Sequence, residues 1–244
     1  LCMAVSGKCY LSLQTYGASA NRGACYQLCR RGYEVTDLET GTKLNIDNKY
    51  IMSPKDLCTI EFMDKIIDAG VKVFKIEGRA RSAEYVKKTA ECYRRAADAV
   101  CEGRYTPELA ASLKEELSEV FNRGFWDGYY QGARLGEWSD VYGSHATRKK
   151  IYCGKITNWF DRISVAEVLV ESEALKKGDD ILIIGETTGV IEQNVSEIRV
   201  DLKPTDEAGK GTLCSIPIIF PDDIRTPGGK KIRRGDKVYI WREV

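Results

Sequence analysis

Cysteines near the start of the chain have spacings that suit a metal centre. Cys2, Cys9 and Cys25 lie seven and sixteen residues apart in segments rich in Ser and Gly, and Cys29 or Cys58 could complete a set of four. Iron–sulfur clusters are held by four such thiolates. Zinc accepts the same sulfurs, but structural zinc sites usually pair cysteines two to four residues apart, and in this group only Cys25 and Cys29 are that close. Spacing therefore favours an iron–sulfur cluster, with zinc or buried thiols without a metal as alternatives.

The other cysteines have a simpler interpretation. The chain has nine cysteines, an odd number, and no export signal, so a disulfide framework is not expected. Cys58 lies in the first turn of a predicted helix, where the helix dipole favours a thiolate. Four further cysteines lie among apolar residues at helical or strand spacing and are interpreted as small core residues: Cys92, Cys101, Cys153 and Cys214.

Basic and aromatic residues are interleaved beside the early cysteines. Arg22, Arg30 and Arg31 alternate with Tyr26 and Tyr33. Guanidinium groups bind phosphates and tyrosine rings stack on bases, so the segment is a candidate site for RNA or for an anionic substrate. The alternative is a solvated basic loop.

Two charged residues follow a predicted strand over 71–76. In parallel α/β folds the carboxyl ends of strands carry the chemistry, which makes Glu77 and Arg79 candidate catalytic residues. Gly78 between them would let a ligand approach the backbone closely. The alternative is an ion pair that only ties the fold together.

Histidine is scarce, and this narrows the possible chemistry. His145 is the only histidine, so any Cys/His or Ser/His nucleophilic pair would depend on it. No HExxH helix is present to supply the ligands of a zinc protease. His145 is interpreted as a hydrogen-bonded loop residue, and hydrolysis is disfavoured.

The elements that must position these residues alternate between helix and strand. The predicted elements are a helix over about 54–69, a strand over 71–76, a helix from Ser82 to Gly103 and a helix from Pro107 to near 122–124. This order predicts the carboxyl-terminal part of a TIM-like α/β barrel. Because the chain begins with Leu1, we expect it to be part of a longer protein whose preceding segment supplies the earlier strands.

The pattern changes near residue 147. Short strands with turn signals recur, which predicts a small all-β barrel over 147–244 after an α/β domain over 1–146, with 125–132 as an ordered linker. The strands are predicted at 162–170, 180–184 and 237–241. Two segments share an apolar, basic, basic, Gly, Asp pattern and are expected to form equivalent turns into strands: 175–181 and 232–238.

Composition sets limits on partners and compartment. The chain has 244 residues, 43% hydrophobic residues, and 37 Lys and Arg against 36 Asp and Glu, so nucleic acid would have to bind through a local patch. No run approaches 18 apolar residues and no secretory signal opens the chain, which makes the cytoplasm the expected compartment.

Four motifs in this order resemble the collagenase-like peptidase family U32. They are SGKC at 6–9, ANRGACYQLCR at 20–30, SPKDLC at 53–58 and FKIEGR at 74–79. The resemblance covers residues 1–145, and the β-rich tail is similar to the C-terminal barrel of that family, which resembles the second domain of translation elongation factors.

The resemblance implies a function that differs from the family name. Better understood relatives are hydroxylation factors with a four-iron four-sulfur cluster, and the matching ligands here would be Cys2, Cys9, Cys25 and Cys58. Such relatives hydroxylate tRNA wobble uridine using prephenate, or act on 23S rRNA or ubiquinone precursors.

We therefore expect a cluster-dependent RNA hydroxylation enzyme acting on tRNA. Arg22, Arg30 and Arg79 would hold an anionic substrate or cosubstrate, and Glu77 would orient it or an arginine. The alternatives are a peptidase, as the family label says, and a non-catalytic RNA-binding module.

Overall fold

The computed structural model describes residues 10–18, 22, 24, 26, 28, 31, 33–45, 55–78, 81–133, 137, 139, 143–220 and 232–244. The chain divides into two compact units. Unit 1 comprises Leu1–Lys75 and Cys92–Ala146, and unit 2 comprises Ile76–Glu91 and Thr147–Val244, so the division falls within one helix.

The helices lie in the first part of the chain. They are α1 Tyr10–Tyr16, α2 Met63–Asp68, α3 Ala83–Cys101 and α4 Pro107–Ser118, with a 3₁₀ turn over Ile60–Phe62. The Thr106 side chain accepts a hydrogen bond from the Leu109 amide (3.2 Å), and Pro107 occupies the first turn, so α4 begins where capping chemistry predicts. The predicted helices from 82 and 107 are confirmed, although α4 ends at Ser118, before the expected 122.

Four short strands accompany these helices. They are β1 Glu34–Thr36, β2 Lys43–Asn45, β3 Asp56–Leu57 and β4 Phe125–Trp126. β1 and β2 pair antiparallel, whereas β3 and β4 pair parallel. The apolar core of unit 1 packs α2, α3 and α4 together through Cys58, Ile60, Met63, Cys92, Ala96, Leu113 and Leu117.

The predicted helix over 54–69 is wrong in its first half. The Asp56 amide donates to the Gly124 carbonyl (2.9 Å) and the Cys58 amide donates to the Trp126 carbonyl (3.0 Å). Both bonds belong to the pairing of β3 with β4, and the Cys58 bond uses an amide that a helix starting at residue 54 would need, so the backbone is extended there and the α-helix begins only at Met63. Part of the predicted linker at 125–132 is therefore strand β4.

The predicted strand over 71–76 is also wrong. Residues 71–78 have no regular secondary structure. Alternation stabilises a strand only when a partner strand and a buried face exist, and Val73 is 83% exposed. Glu77 consequently does not follow a strand. The proposed α/β barrel stays a prediction.

Unit 2 contains a large antiparallel sheet. The order of its eight strands is β11-β10-β13-β6-β5-β14-β8-β9, and β7 pairs with β12 separately. The strands are β5 Arg148–Phe160, β6 Val165–Val170, β7 Leu175–Lys176, β8 Asp180–Gly185, β9 Gly189–Asn194, β10 Ile198–Val200, β11 Lys203–Thr205, β12 Glu207–Ala208, β13 Leu213–Pro217 and β14 Lys237–Glu243. The predicted strands near 165, 180 and 237 are confirmed; closure of the sheet into a barrel stays a prediction.

One face of this sheet forms the core of unit 2. Burial alternates along Val165–Val170, as expected for a strand with one face on a core. The core is built from aliphatic residues with two cysteines, including Cys153, Ile156, Val168, Ile181, Ile183, Ile191, Cys214, Ile216, Val238 and Ile240. Among the residues that the structure describes, no helix is long and apolar enough to cross a membrane.

The two similar segments form equivalent turns, as predicted. The Lys176 amide donates to Asp179 Oδ2 and the Arg233 amide donates to Asp236 Oδ2, both at 2.8 Å. In each turn the Asp amide then donates to the carbonyl of that basic residue at 3.1 Å. The glycines of both turns have positive φ, +89° at Gly178 and +94° at Gly235.

Candidate functional site

Cys58 is the predicted cluster ligand that the structure describes. It lies directly after β3, is 5% exposed, and belongs to the unit 1 core. The Tyr93 hydroxyl, from α3, donates a hydrogen bond to Cys58 Sγ (3.9 Å). The same hydroxyl accepts a hydrogen bond from the Thr59 amide (2.9 Å), which fixes the phenol beside the sulfur.

Burial controls the protonation of this pair. Desolvation raises the pKa of the Cys58 thiol, against the opposing effects of hydrogen bonds from Ile60 and Tyr93 and of the Lys114 charge. Burial also raises the pKa of Tyr93 well above its usual value. Both groups are therefore protonated at neutral pH, and a metal bound at Cys58 would have to replace the thiol proton.

The surroundings of Cys58 fit a thiolate ligand. Hydrogen-bond donors directed at a ligating sulfur stabilise its negative charge and tune the metal, and Tyr93 and Ile60 supply two such donors here. Glu61 and Lys114 form an ion pair close by, with Lys114 on α4. The buried thiol thus has the second layer of donors that a metal site requires.

The other predicted sulfur ligands all precede residue 30 in the sequence. Cys2, Cys9, Cys25 and the alternative Cys29 lie outside the described residues. Within the part of the chain that the structure describes, no group of three or more His, Cys, Asp or Glu side chains is placed to hold a metal. Convergence of the four sulfurs stays a prediction.

The cysteines interpreted as core residues have mixed outcomes. Cys92, Cys153 and Cys214 are at most 2% exposed, which confirms that interpretation. Cys101 is exposed, so the prediction is wrong for it. Cys101 is the last residue of α3.

The basic and aromatic segment forms a cluster on unit 1. Arg31 Nη1 donates to the Tyr16 hydroxyl (2.9 Å), and its guanidinium carbon lies 5.6 Å from the centre of that ring. The rings of Tyr16 and Tyr26 are 5.1 Å apart. Arg22 is exposed, and Arg30 lies outside the described residues. The sequence did not indicate Tyr16, which lies on α1.

The structure describes only part of the predicted catalytic segment. Glu77 is exposed and Arg79 lies outside the described residues. A Cβ at Gly78 would come 2.8 Å from Val86 Cγ2, so the close approach that this glycine permits is made by a side chain of α3. His145 is in a loop and its amide donates to the Asn122 carbonyl (2.8 Å), which confirms the loop interpretation.

Tyr93 is the site residue that sequence reasoning missed. It lies at helical spacing with apolar residues of α3, a pattern that by itself indicates only a residue that faces the core. A buried tyrosine hydroxyl nearly always finds a hydrogen-bond partner. That rule indicates that Tyr93 has a polar neighbour, although only the fold shows that the neighbour is Cys58.

Comparison with known proteins assigns the family. The sequence profile described as peptidase family U32 matches residues 1–140. The chain belongs to peptidase family U32. This confirms the resemblance inferred from the four motifs.

Relatives within and near the family carry two kinds of name. A protein named collagenase from Porphyromonas gingivalis is 56% identical over 239 residues, covering 98% of this chain and 55% of that protein. The tRNA hydroxylation protein P1 of Bacillus subtilis is 31% identical over 190 residues, covering 76% of this chain and 44% of that protein. A 23S rRNA 5-hydroxycytidine synthase of Escherichia coli is 39% identical over 143 residues, covering 56% and 21% respectively.

The chain matches only part of the length of each of these relatives. The chain spans about half the length of the curated relatives it matches, 55% of the P. gingivalis collagenase and 58% of an archaeal relative. Their functions therefore belong to longer proteins.

Proposed function

We propose that the protein is an iron–sulfur-dependent RNA hydroxylation enzyme that acts on tRNA wobble uridine in the cytoplasm. The observation that carries this proposal is the similarity to relatives named for hydroxylation of tRNA and rRNA, at 31% and 39% identity. The proposal includes a TIM-like barrel to which unit 1 contributes the carboxyl-terminal part, and a small β-barrel formed by unit 2.

The proposed cluster would be held by Cys2, Cys9, Cys25 and Cys58, with Cys29 as the alternative to Cys58. The buried Cys58 thiol and its two hydrogen-bond donors support this assignment. Zinc on the same sulfurs is the alternative metal. When bound, an iron–sulfur cluster supplies electron transfer.

The residues around Cys58 would hold the ligand sulfur in place. Tyr93 keeps its proton because burial raises its pKa, so it donates to the sulfur throughout the physiological pH range. The Thr59 amide orients that hydroxyl. Core packing around Cys58 keeps water from the sulfur, which protects a bound cluster from hydrolysis.

Charged residues would bind the substrates. Arg22, Arg30 and Arg79 supply positive charge for RNA phosphates or for an anionic cosubstrate such as prephenate. Glu77 would orient that cosubstrate or one of the arginines. Glu77 and Arg22 are both exposed, as groups that contact a ligand must be.

Cysteine replacement tests the cluster. Cys58→Ser is compared with Cys92→Ser, because Cys92 is a buried cysteine of the same core that is not a proposed ligand. After anaerobic purification we expect wild type and Cys92→Ser to bind iron and absorb near about 400 nm, and Cys58→Ser to lose most of both. Full iron in a folded Cys58→Ser protein would contradict Cys58 as a ligand and favour Cys29, whereas stoichiometric zinc in wild type would contradict the iron–sulfur cluster.

The RNA substrate is tested in cells. Mass spectrometry of tRNA nucleosides is compared in a deletion strain that carries wild type, Cys58→Ser or Cys92→Ser in the full-length protein. We expect hydroxylated wobble uridine with wild type and Cys92→Ser and its loss with Cys58→Ser. Unchanged nucleosides in the deletion strain would exclude this substrate and direct the search to rRNA.

Peptide hydrolysis is the second candidate function. It is favoured by 56% identity to a protein named collagenase across 98% of the chain. A preparation free of contaminating protease would have to cleave collagen-like peptides, and His145→Ala or Cys58→Ser would have to abolish that cleavage. A non-catalytic RNA-binding module would instead tolerate Glu77→Gln in the cellular assay, whereas the enzyme requires Glu77.

A further inference from the structure

Unit 2 contains a groove lined by aromatic, basic and acidic side chains. Its volume is about 690 Å³, within the range of small-ligand sites. Its lining combines one indole, two guanidinium groups, one carboxylate and small polar groups: Thr157, Asn158, Trp159, Glu167, Ile232, Arg233 and Arg234. None of these residues takes part in the site around Cys58.

Backbone hydrogen bonds hold the two arginines against β5. The Gly235 amide donates to the Ile156 carbonyl and the Ile156 amide donates to the Asp236 carbonyl, both at 2.8 Å. The pairing of β5 with β6 shifts register between Ile156 and Asn158. Such bulges re-aim side chains and are frequent beside binding sites. The turn that carries Arg233 and Arg234 is therefore fixed next to the bulge that presents Trp159.

A buried carboxylate makes this turn rigid. Asp236 is 7% exposed, and its Oδ2 accepts hydrogen bonds from the Arg233 amide (2.8 Å) and from Thr188 Oγ1 (2.5 Å). The backbone beneath the arginines is thus ordered before any ligand binds. Preorganisation of this kind reduces the entropy lost on binding.

The groove side chains are a complementary set of binding groups. The Trp159 indole N–H donates to Asp161 Oδ1 (3.2 Å) and its ring packs edge to face with Phe220 at 5.5 Å, so the indole is held in place. Arg233 and Arg234 are exposed. Glu167 accepts a hydrogen bond from Thr157 Oγ1 (2.6 Å), which uses one of about four acceptor positions on a carboxylate.

We propose that this groove binds a nucleotide of single-stranded RNA. Trp159 stacks on the base, since aromatic side chains are general platforms for bases. Arg233 and Arg234 bind the adjacent phosphates. Glu167 accepts a hydrogen bond from a base amino group, as carboxylates do with cytosine N4.

The carboxylate selects among anionic ligands. Glu167 would repel the side-chain carboxylates of an acidic peptide, whereas the base of a nucleotide is neutral and carries amino donors for Glu167, with the phosphates left for the arginines. This inference rests on the proposed function for the choice of RNA as the polymer. It adds a second contact surface, on unit 2, to the site around Cys58.

Equilibrium binding of a fluorescein-labelled single-stranded 12-nucleotide RNA to the full chain tests the groove by anisotropy. We expect Arg233→Gln/Arg234→Gln to weaken binding about tenfold and to reduce the slope of log K against log salt by about 1.4, since each of the two phosphate contacts on a single strand contributes about 0.7. Trp159→Leu should weaken binding about tenfold with an unchanged slope. Lys176→Gln/Lys177→Gln is the matched control, because it removes two charges from the equivalent turn, and it should change affinity less than twofold.

Several results would overturn the inference. Equal weakening by the two double variants would show that charge alone matters, and full affinity in Trp159→Leu would exclude stacking. Displacement of the RNA by a poly-glutamate peptide of equal charge would assign the groove to acidic peptides. Unchanged melting temperatures establish that the variants fold.

The binding assay needs no turnover, so it separates this inference from the proposed function. Loss of RNA binding in groove variants of a protein that hydroxylates no RNA leaves the groove assignment intact. If the protein hydroxylates RNA in cells but the groove variants bind RNA as tightly as wild type, only the groove assignment is refuted.

Discussion

Replacement of Tyr93 by Phe removes one hydroxyl that serves two neighbours. In the native structure this hydroxyl accepts from the Thr59 amide (2.9 Å) and donates to Cys58 Sγ (3.9 Å). The phenylalanine ring fills the same volume, so packing in the unit 1 core is preserved. The change therefore removes three hydrogen bonds, because the hydroxyl also shares one with Thr59 Oγ1 (3.3 Å).

The larger part of the expected cost comes from the amide. A buried donor left without a partner costs about 1–3 kcal/mol, whereas the long bond to sulfur is weak. We expect Tyr93→Phe to lower the free energy of unfolding by about 2 kcal/mol. This is a large fraction of the stability of an ordinary domain.

Tyr105→Phe is a matched control in the same core. The Tyr105 hydroxyl donates to the Ile60 carbonyl (2.5 Å), whereas the Tyr93 hydroxyl donates to the sulfur. Its loss leaves a carbonyl with a second lone pair, and we expect a cost of about 1 kcal/mol. Urea unfolding monitored by tryptophan fluorescence measures both variants. A cost below about 0.5 kcal/mol for Tyr93→Phe would refute the reasoning about the Thr59 amide.

The cluster provides a second and independent measurement. Hydrogen bonds to ligating sulfurs raise the reduction potential of iron–sulfur clusters by stabilising the reduced, more negative state. Tyr93→Phe should therefore lower the midpoint potential of the reconstituted protein, and Tyr105→Phe should leave it unchanged. Equal potentials in both variants would show that Cys58 is not a ligand.

Two further predictions concern unit 2. Burial raises the pKa of Cys153 to about 12 and that of Cys214 to about 11, so the unfolded chain loses these protons near pH 9 while the folded chain keeps them. The stability contributed by the two protonated thiols is full below about pH 8 and should fall by about 1.4 kcal/mol per thiol between pH 8 and 10. In reducing, anaerobic urea titrations, the free energy of unfolding should therefore fall over this range by about 3 kcal/mol more in wild type than in Cys153→Ala/Cys214→Ala. Gly185→Ala should cost about 2–3 kcal/mol, because its Cβ would lie 2.0 Å from the Oδ1 of buried Asp236, whereas Gly209→Ala, with no atom within 4 Å, should stay within about 0.5 kcal/mol in the same assay. Equal losses of unfolding free energy in Gly185→Ala and Gly209→Ala would contradict the predicted clash.

Local sequence signals predicted the elements that depend on local physics. The start of α4 follows from Thr106 and Pro107, which cap and open a helix without help from the rest of the fold. The two basic turns were predictable for the same reason, because the Gly and Asp of each turn determine its φ angles and its side-chain bond to the backbone.

Elements that depend on distant partners were not predictable. The extended backbone at Asp56 exists because the carbonyl of Gly124, directly before β4 and nearly seventy residues later, accepts its amide hydrogen bond. The segment 71–76 has the alternation of a strand, but the described residues provide no neighbouring strand to pair with it. Tyr93 has the helical spacing of a core residue, and only the fold shows that Cys58 lies beside its hydroxyl.

The two equivalent turns show how similar sequence leads to different surfaces. Each turn exchanges the same pair of 2.8 Å backbone bonds with one residue, Val195 directly after β9 in the first turn and the strand residue Ile156 of β5 in the second. In the first turn, Lys176 Nζ lies 3.7 Å from Glu207 Oε2, and the two side chains form an ion pair. In the second, the strand residue precedes a bulge, so the basic pair lies beside Trp159. The turn motif therefore determines only the backbone conformation. The residues around each turn determine whether its basic side chains pair with a carboxylate or line a groove.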